Sequence, residues 1–213
     1  MAEKVRSIDK EAWTPKTYLG KKAKAGEITS LEEVIDSGRP ILEPEIVDVL
    51  IPELESETLE IKTTQRVTDS GKRTKFRVVT VIGDRKGHVG LGVGKSDELK
   101  PAMDYAIRDA KKHMIAIGMG CGSWECKCHI KHSVTSRSEG KMGSTIVRLK
   151  PAPRGLGLAA NDVVKKVLGM AGVKDIWSSA QGGKNVYNMA VATMKALDRL
   201  NTLRPRAAEE RGA

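Results

Sequence analysis

Alternating apolar and polar positions predict a three-stranded antiparallel sheet in the first half of the chain. Residues 59–67 and 76–83 alternate with a period of two and are rich in β-branched side chains, which is typical of strands. Asp69-Ser-Gly71 predicts the turn between them, and residues 83–87 predict a second turn. The chain then returns in a third strand, with one apolar face (Val89, Leu91, Val93) and one bare face (Gly90, Gly92, Gly94). A strand face without side chains brings either a packed helix or a ligand close to the backbone.

Helical periodicity flanks this sheet on both sides. Residues 43–54 predict a short helix with Pro44 in its first turn. The segment after Ser96 predicts a longer helix, whose apolar stripe is Met103, Ala106, Ile107, Ala110, Met114 and Ile117. The order α-β-β-β-α is typical of domains that bind double-stranded RNA.

The second half of the chain predicts a β-β-α-β-α order. The elements are strands at 132–137 and 144–150, a helix at 161–171, a short strand at 173–177 and a helix at 187–200. The fold class is therefore α+β, with two small domains. The predicted organisation is a basic N-terminal arm (1–40), a double-stranded-RNA-binding-like domain (41–118), a Cys-rich junction (119–131), a C-terminal α/β domain (132–203) and a flexible tail (204–213).

Charge is concentrated on the predicted sheet. The 213 residues include 37 Lys and Arg against 27 Asp and Glu, a net charge of +10. Nine of the basic residues and two of the acidic ones lie between Lys62 and Lys95. Such a local excess is the footprint of polyanion binding, for which phosphate is the ligand to expect, and a solvated surface is the alternative explanation of the charge. Aromatic residues make up 3% of the chain, so base stacking is not the expected mode. Structured RNA, contacted through phosphates and 2′-hydroxyls, fits better.

Two glycine-rich stretches invite comparison with nucleotide sites. Gly90-Leu-Gly-Val-Gly-Lys-Ser96 misses the phosphate-loop spacing because Val89 stands where glycine is required. Gly155-Leu-Gly-Leu-Ala-Ala160 matches the dinucleotide fingerprint, with Asp175 at the expected distance. Too few residues follow Asp175 to complete that fold. A nucleotide- or dinucleotide-binding enzyme that uses residues 155–160 is therefore the alternative function. No catalytic acid-base pair or nucleophile triad is found in the sequence, so no catalytic residue is assigned.

Three cysteines and a histidine are candidate zinc ligands. Cys121, Cys126, Cys128 and His132 form a Cys₃His set, which suits a tetrahedral ion, and His129 could replace His132. The spacing lacks the usual C-x₂-C pair, so inert thiols in a linker are the alternative. Zinc could be bound but is not required. The crowded thiols, and the absence of a signal peptide or a bilayer-length apolar run, favour a reduced cytoplasmic setting with no membrane partner.

Three ordered motifs resemble one known family. They are Val81-Ile-Gly-Asp-Arg-Lys-Gly-His-Val-Gly-Leu-Gly-Val-Gly-Lys95, Arg148-Leu-Lys-Pro-Ala-Pro-Arg-Gly-Leu-Gly-Leu158 and Leu168-Gly-Met-Ala-Gly-Val-Lys-Asp-Ile-Trp177. From about Trp13 to Leu203 the chain is similar to the universal small-subunit ribosomal protein S-five family. Its opening segment and Cys-rich junction look like the archaeal branch. The bacterial pattern lacks the three thiols, so the resemblance implies nothing about a metal.

The resemblance implies a non-enzymatic constituent of the small subunit of the cytoplasmic ribosome. Its expected partners are small-subunit ribosomal RNA and neighbouring proteins of the S-four and S-eight families. Its expected place is near the decoding region and the point where messenger RNA enters, with a role in assembly and translational accuracy. The predicted RNA contacts are Lys62, Arg66, Lys72, Arg73, Lys75, Arg77, Arg85, Lys86, His88, Gly90, Gly92, Gly94, Lys95, Lys111, Lys112 and Arg154.

Overall fold

The chain forms two compact units in the computed structural model, and they divide between Ala116 and Ile117. The structure describes residues 3–4, 13–126, 128 and 130–202. Most of the first twelve residues and the predicted tail at 204–213 lie outside this range. Among the described residues, no helix has both the length and the apolar character needed to cross a bilayer.

The first unit is an antiparallel sheet with helices. Its strands pair in the order β1-β2-β3-β4-β5, and a bulge interrupts β2 between Thr58 and Glu60. The predicted α-β-β-β-α order is present, with two further helices before it. The elements are β1 (Glu3–Lys4), α1 (Tyr18–Ala25), α2 (Leu31–Asp36), α3 (Glu45–Leu50), β2 (Glu55–Thr68), β3 (Gly71–Gly83), β4 (His88–Ser96), α4 (Leu99–Lys112) and β5 (Met114–Ala116).

The segment treated as an arm differs from that prediction from Trp13 onward. Thr17 and Ser30 cap α1 and α2 through their side-chain oxygens, and Glu43 accepts hydrogen bonds from the backbone amides of Lys16 and Thr17. The apolar residues of this segment are buried in one cluster with α3 and α4: Trp13, Leu19, Ala23, Leu31, Val34 and Ile41. Residues 13–41 are thus part of the packed first unit.

The second unit contains a four-stranded sheet, a two-stranded ribbon and two helices. The sheet has the order β10-β11-β9-β8, in which only β10 and β11 are parallel, and β6 pairs with β7 in the ribbon. The elements are β6 (Met119–Gly120), β7 (Ser133–Val134), β8 (Ser138–Met142), β9 (Thr145–Pro151), β10 (Leu158–Ala159), α5 (Asp162–Ala171), β11 (Ile176–Gln181) and α6 (Val186–Thr202).

The two-domain α+β prediction is confirmed, although some strands of the second unit were misplaced. The strand predicted at 132–137 is only two residues long, and β9 pairs with β8 and β11 instead. The sequence of β8, Ser-Glu-Gly-Lys-Met, carries no apolar alternation. It nevertheless forms a strand because Gly140 lets α6 pack closely: a Cβ there would lie 1.9 Å from the carbonyl oxygen of Ala192.

Candidate nucleic-acid interface and Cys-His cluster

The glycine face of β4 is covered by α4. A Cβ at Gly90, Gly92 or Gly94 would lie 2.4, 2.1 or 1.9 Å from a backbone carbonyl oxygen of that helix. All three glycines are buried. The prediction that they contact RNA is therefore wrong, because their missing side chains make room for a helix backbone. The same covering rules out a phosphate loop here.

The opposite face of the β2–β3 hairpin carries a basic row. The strand register places Arg66 opposite Arg73 and Thr64 opposite Lys75. Arg77 lies opposite both Lys62 on β2 and Lys95 on β4. Side chains that face each other across neighbouring strands share a face of the sheet. Six of the predicted contacts thus form one surface, which we call the basic face: Lys62, Arg66, Arg73, Lys75, Arg77 and Lys95. All of them except Lys62 line a groove of about 560 Å³.

Few acids neutralise the basic face. Arg73 and Lys75 share Asp97, at 3.2 and 3.7 Å, and Lys62 pairs with Glu60 at 2.7 Å. Hydrogen bonding to Arg73 lowers the pKa of Asp97. Arg66 and Lys95 form no ion pair with any other described residue and are exposed. Positive charge is therefore left to face solvent or a partner.

Lys72 stands apart from this row. The register pairs it with Val67 at the hairpin tip, and strand alternation turns both side chains to the opposite face. Both residues are exposed, and Asp69 and Ser70 form the turn beside them. The tip thus offers Lys72 on one face and Arg73 on the other.

The turn at 84–87 lies at the far end of β3 from the hairpin tip. β3 has 13 residues, which span roughly 40 Å at the usual rise per residue. Arg85 and Lys86 are exposed there and pair with Glu55 and Glu53 at 2.6 and 3.1 Å. The structure therefore separates these two residues from the basic face.

Asp84 builds that turn. One carboxylate oxygen accepts the backbone amides of Lys86 and His88, and the other lies 2.6 Å from the His88 ring. Burial opposes ionisation of Asp84, yet hydrogen bonds from the His88 ring and the two amides outweigh it and lower the pKa. His88 was a predicted RNA contact, but its ring is mostly buried against Asp84 and serves the turn.

Lys111 and Lys112 are neighbours with opposite environments. The Lys111 ammonium is buried and lies 2.6 Å from the carboxylate of Asp48 on α3. Burial, against the attraction of Lys111, raises the pKa of Asp48. The prediction that Lys111 contacts RNA is therefore wrong, because its charge is used inside the first unit. Lys112 is exposed, as a contact requires.

Arg154 lies in the second unit on a loop held by Asp175. Asp175 is 5% exposed, and one of its carboxylate oxygens accepts the backbone amides of Gly155 and Gly157 at 3.0 and 2.8 Å. Both glycines have positive φ, 91° and 78°. The amides that would have to bind a pyrophosphate are thus occupied by the protein's own carboxylate. Arg154 itself is exposed.

The four predicted zinc ligands come together. The sulfur atoms of Cys121, Cys126 and Cys128 and a ring nitrogen of His132 all lie within 4.8 Å of one another. The Cys128 and Cys121 sulfurs are 3.5 Å apart, and Cys126 Sγ lies 3.7 Å from His132 Nε2. His129 lies outside the described residues. The cluster has the donor set and the spacing for one metal ion.

The thiols of the cluster differ in acidity. Hydrogen bonding from Cys128, followed by the backbone amide of Arg154, lowers the pKa of Cys126 to about 6. Burial, followed by hydrogen bonding with Cys128 and Cys126, raises the pKa of Cys121 to about 11. The two pKa shifts are opposite in direction, so Cys126 ionises more readily than Cys121.

Sequence reasoning missed the partner of His132. The other ring nitrogen, Nδ1, lies 2.8 Å from the second carboxylate oxygen of Asp175. Asp175 had drawn attention only as the acid of a dinucleotide fingerprint. The two side chains are 43 positions apart in the sequence, so no local pattern reveals the pair.

Comparison with known proteins decides the family. Residues 54–118 match the family model described as ribosomal protein S5, N-terminal domain, and residues 140–211 match ribosomal protein S5, C-terminal domain. A protein of Methanocaldococcus jannaschii named small ribosomal subunit protein uS5 is 48% identical over 91% of this chain and 90% of its own length. The chain belongs to the ribosomal protein S5 family.

Other members of the S5 family agree with this match. The proteins of that name from Methanoregula boonei and Methanococcoides burtonii are 47% and 50% identical over 93% and 91% of the chain, and over 97% and 92% of their own lengths. The chain is thus a structural ribosomal protein and not an enzyme, which confirms the resemblance and excludes the nucleotide-dependent alternative. The segment 119–139, which contains the Cys-His cluster, lies between the two matched domains.

Proposed function

We propose that this protein is built into the small ribosomal subunit and binds its ribosomal RNA through the basic face of the first unit. The observation that carries the proposal is the cross-strand pairing of like charges. Arg66 faces Arg73, and Arg77 faces both Lys62 and Lys95. Such pairs destabilise a sheet in isolation. A row of phosphates would remove that repulsion and release condensed counterions.

The groove along the basic face fits a nucleic-acid backbone better than a base. Four of its basic side chains extend from exposed strand positions and Arg77 from a half-buried one, and Thr64 and Thr68 add hydroxyl groups between them. No aromatic residue lines it, so stacking of bases has no platform there. Contacts of this kind position RNA and do not read its sequence.

The hairpin tip, with Lys72 and Arg73, is proposed as the part that reaches RNA near the decoding region. Exposed charges beside a two-residue turn can contact RNA at little cost in stability, and the tip lies far along the hairpin from the packed core. With this placement we also propose a role in subunit assembly and translational accuracy, as the resemblance to the family implies. Lys72→Glu with Arg73→Glu should leave the fold intact and raise miscoding in cells.

Neighbouring ribosomal proteins, of the S-four and S-eight families, are proposed for the other face of the hairpin. Strand alternation turns Ile61 and Val67 there, and these side chains are 49% and 74% exposed. Exposed apolar side chains on a strand otherwise surrounded by charge suit a protein partner. The proposed location is the ribosome in the cytoplasm.

A salt titration of RNA binding tests the proposal. The full-length protein is titrated against a structured fragment of small-subunit RNA from 50 to 300 mM KCl. The variant Arg66→Gln, Arg73→Gln, Lys75→Gln should bind at least tenfold more weakly at low salt. Its plot of log affinity against log salt should be shallower by about 2 to 3, because each lost phosphate contact removes nearly one released counterion.

A second triple variant supplies the control. Lys165→Gln, Lys184→Gln, Lys195→Gln removes the same charge from exposed positions of the second unit. It should keep the affinity and nearly the full slope. If both triple variants lose affinity equally, net charge alone explains binding and the basic face has no special role.

A further inference from the structure

The Cys-His cluster is not explained by RNA binding, and neither family domain covers it. We propose that Cys121, Cys126, Cys128 and His132 bind one zinc ion, and that Asp175 couples this ion to the loop that carries Arg154. The proposal is independent of the basic face, which belongs to the other unit.

The spacing of the donor atoms fits a tetrahedral ion. Zinc–sulfur bonds of about 2.3 Å place neighbouring ligand atoms about 3.8 Å apart. The two measured pairs, 3.5 Å between Cys121 and Cys128 and 3.7 Å between Cys126 and His132, lie near that value. All four donors fall within 4.8 Å of one another, so shifts of about 1 Å or less would complete the site.

Backbone pairing holds the ends of the ligand loop together. The β6–β7 ribbon pairs Gly120 with Ser133, and the amide of His132 donates to the carbonyl of Gly120. Gly122 donates to Val134, and a Cβ on Gly122 would lie 2.0 Å from the carbonyl oxygen of Thr135. The loop is therefore closed before any ion binds, which lowers the entropy cost of assembling the ligands.

The imidazole of His132 is oriented as a metal ligand. Its Nδ1 lies 2.8 Å from the carboxylate of Asp175 and must carry the proton there. Nε2 is then the lone-pair atom, and it points into the thiol cluster, next to Cys126. A carboxylate behind a histidine is the usual support of a zinc-bound imidazole. His132 is 3% exposed, so its Nε2 atom faces the sulfur of Cys126 and not solvent.

A disulfide is the main competing explanation for the short distance between Cys121 and Cys128. It would use two thiols and leave Cys126 and the oriented His132 nitrogen without a role. A single ion uses all four donors at once and suits three thiolates and one imidazole. Zinc is favoured over a disulfide because the fourth donor, the His132 ring nitrogen, also lies within the cluster.

Asp175 extends the site to the second loop. The carboxylate oxygen that does not face His132 accepts the amides of Gly155 and Gly157. The amides of Lys174 and Asp175 in turn donate to the carbonyl of His132. Zinc binding fixes the His132 ring, the ring fixes the Asp175 carboxylate, and the carboxylate fixes the loop. The ion would thereby hold Arg154 in a position to contact phosphate.

The first test is the metal content of the full-length protein, purified without added metal or chelator. About one zinc per chain is expected by elemental analysis, and Cys126→Ser should lose it. His113→Gln, which alters an exposed histidine of the first unit, should retain it. Folded wild-type protein without metal, or with a Cys121–Cys128 disulfide found by mass spectrometry, would overturn the site.

The second test addresses the coupling by Asp175. Stripping zinc from the wild type with a chelator should speed amide exchange at Gly155 and Gly157 at least tenfold, and should open the Arg154–Gly155 bond to trypsin. Asp175→Asn should weaken zinc affinity by about 10- to 100-fold, as is usual when the support of a ligating histidine is changed. If zinc is present but neither exchange nor cleavage changes when it is removed, the coupling is refuted and the metal site stands.

Discussion

The basic face of the first unit and the Cys-His cluster of the second use polar residues in opposite ways. On the basic face, positively charged side chains lie opposite each other on neighbouring strands, and few acidic side chains form ion pairs with them. In the cluster, thiols, imidazole, carboxylate and glycine amides satisfy one another inside the second unit. An unbalanced surface indicates an external partner, whereas a self-contained network indicates a local structural role, completed here by one proposed ion.

The scaffolds beneath these two sites are built alike. In the first unit, α4 packs on Gly94, where a Cβ would lie 1.9 Å from the carbonyl oxygen of Ala102. In the second unit, α6 packs on Gly140, where a Cβ would lie 1.9 Å from the carbonyl oxygen of Ala192. Each helix thus approaches its sheet to backbone contact. The difference between the units lies in their loops and strand surfaces.

The largest expected effect comes from this shared packing. Gly94→Ala and Gly140→Ala should each lower the free energy of unfolding by about 3 kcal/mol, because the new methyl group collides with a helix backbone that cannot move away alone. Urea denaturation followed by circular dichroism measures the loss. Gly169→Ala is the matched control: it lies in α5 with open space around it and should stabilise the helix by about 1 kcal/mol. If the three variants had the same free energy of unfolding, the close packing of helix on glycine would not be needed for stability.

The next prediction separates a structural lysine from a binding one. Lys111→Met should lower the free energy of unfolding by about 3 kcal/mol, because it leaves the Asp48 carboxylate buried without its partner. Adding Asp48→Leu should recover much of that loss. Lys112→Met, one residue later on the exposed side, should keep stability and weaken RNA binding. Denaturation and RNA titration of the three proteins distinguish the two roles. A folded Lys111→Met protein with weaker RNA affinity would show that Lys111 contacts RNA after all.

Much of this architecture was predictable because its signals are local. Alternation marked β2 to β4, and the bare face of β4 announced a close neighbour. The ligand set of the cluster was visible because four donors fall within twelve residues of sequence. In each case the pattern and its physical cause lie in one short segment.

The remainder depends on contacts between distant residues. Lys111 looks like an ordinary basic residue at the end of a helix, and only the packing of α3 reveals Asp48 beside it. Trp13 and Leu19 are separated by Thr-Pro-Lys-Thr-Tyr, which has no apolar alternation, so their burial has no clear periodicity. The role of Asp175 required knowing that it meets both His132 and the glycine loop. Contacts between distant residues determine the burial and the partners of these side chains, and local propensity does not predict them.

A smaller effect should come from Asp84, whose carboxylate holds the turn at 84–87. Asp84→Asn keeps the shape but removes the charge, so stability at pH 7 should fall by about 1 kcal/mol, the difference between a charged and a neutral acceptor. The lowered pKa fixes the pH dependence: the contribution is full above about pH 5, where the unfolded carboxyl is ionised, and is lost as pH falls through the folded pKa. Unfolding curves of both proteins should therefore converge in acid. A constant difference down to pH 3 would contradict this account.

The smallest effect on stability is expected one residue later, at Arg85. It has positive φ, 57°, which is unusual for a residue other than glycine. Asn tolerates this conformation, and the exposed Arg85–Glu55 pair contributes little, so Arg85→Asn should change stability by less than about 0.5 kcal/mol. If the turn touches RNA, affinity should fall about fivefold at low salt and the salt slope by nearly one. Glu55→Gln, which frees the same guanidinium, should not weaken binding. Unchanged affinity in Arg85→Asn would remove Arg85 from the predicted RNA contacts.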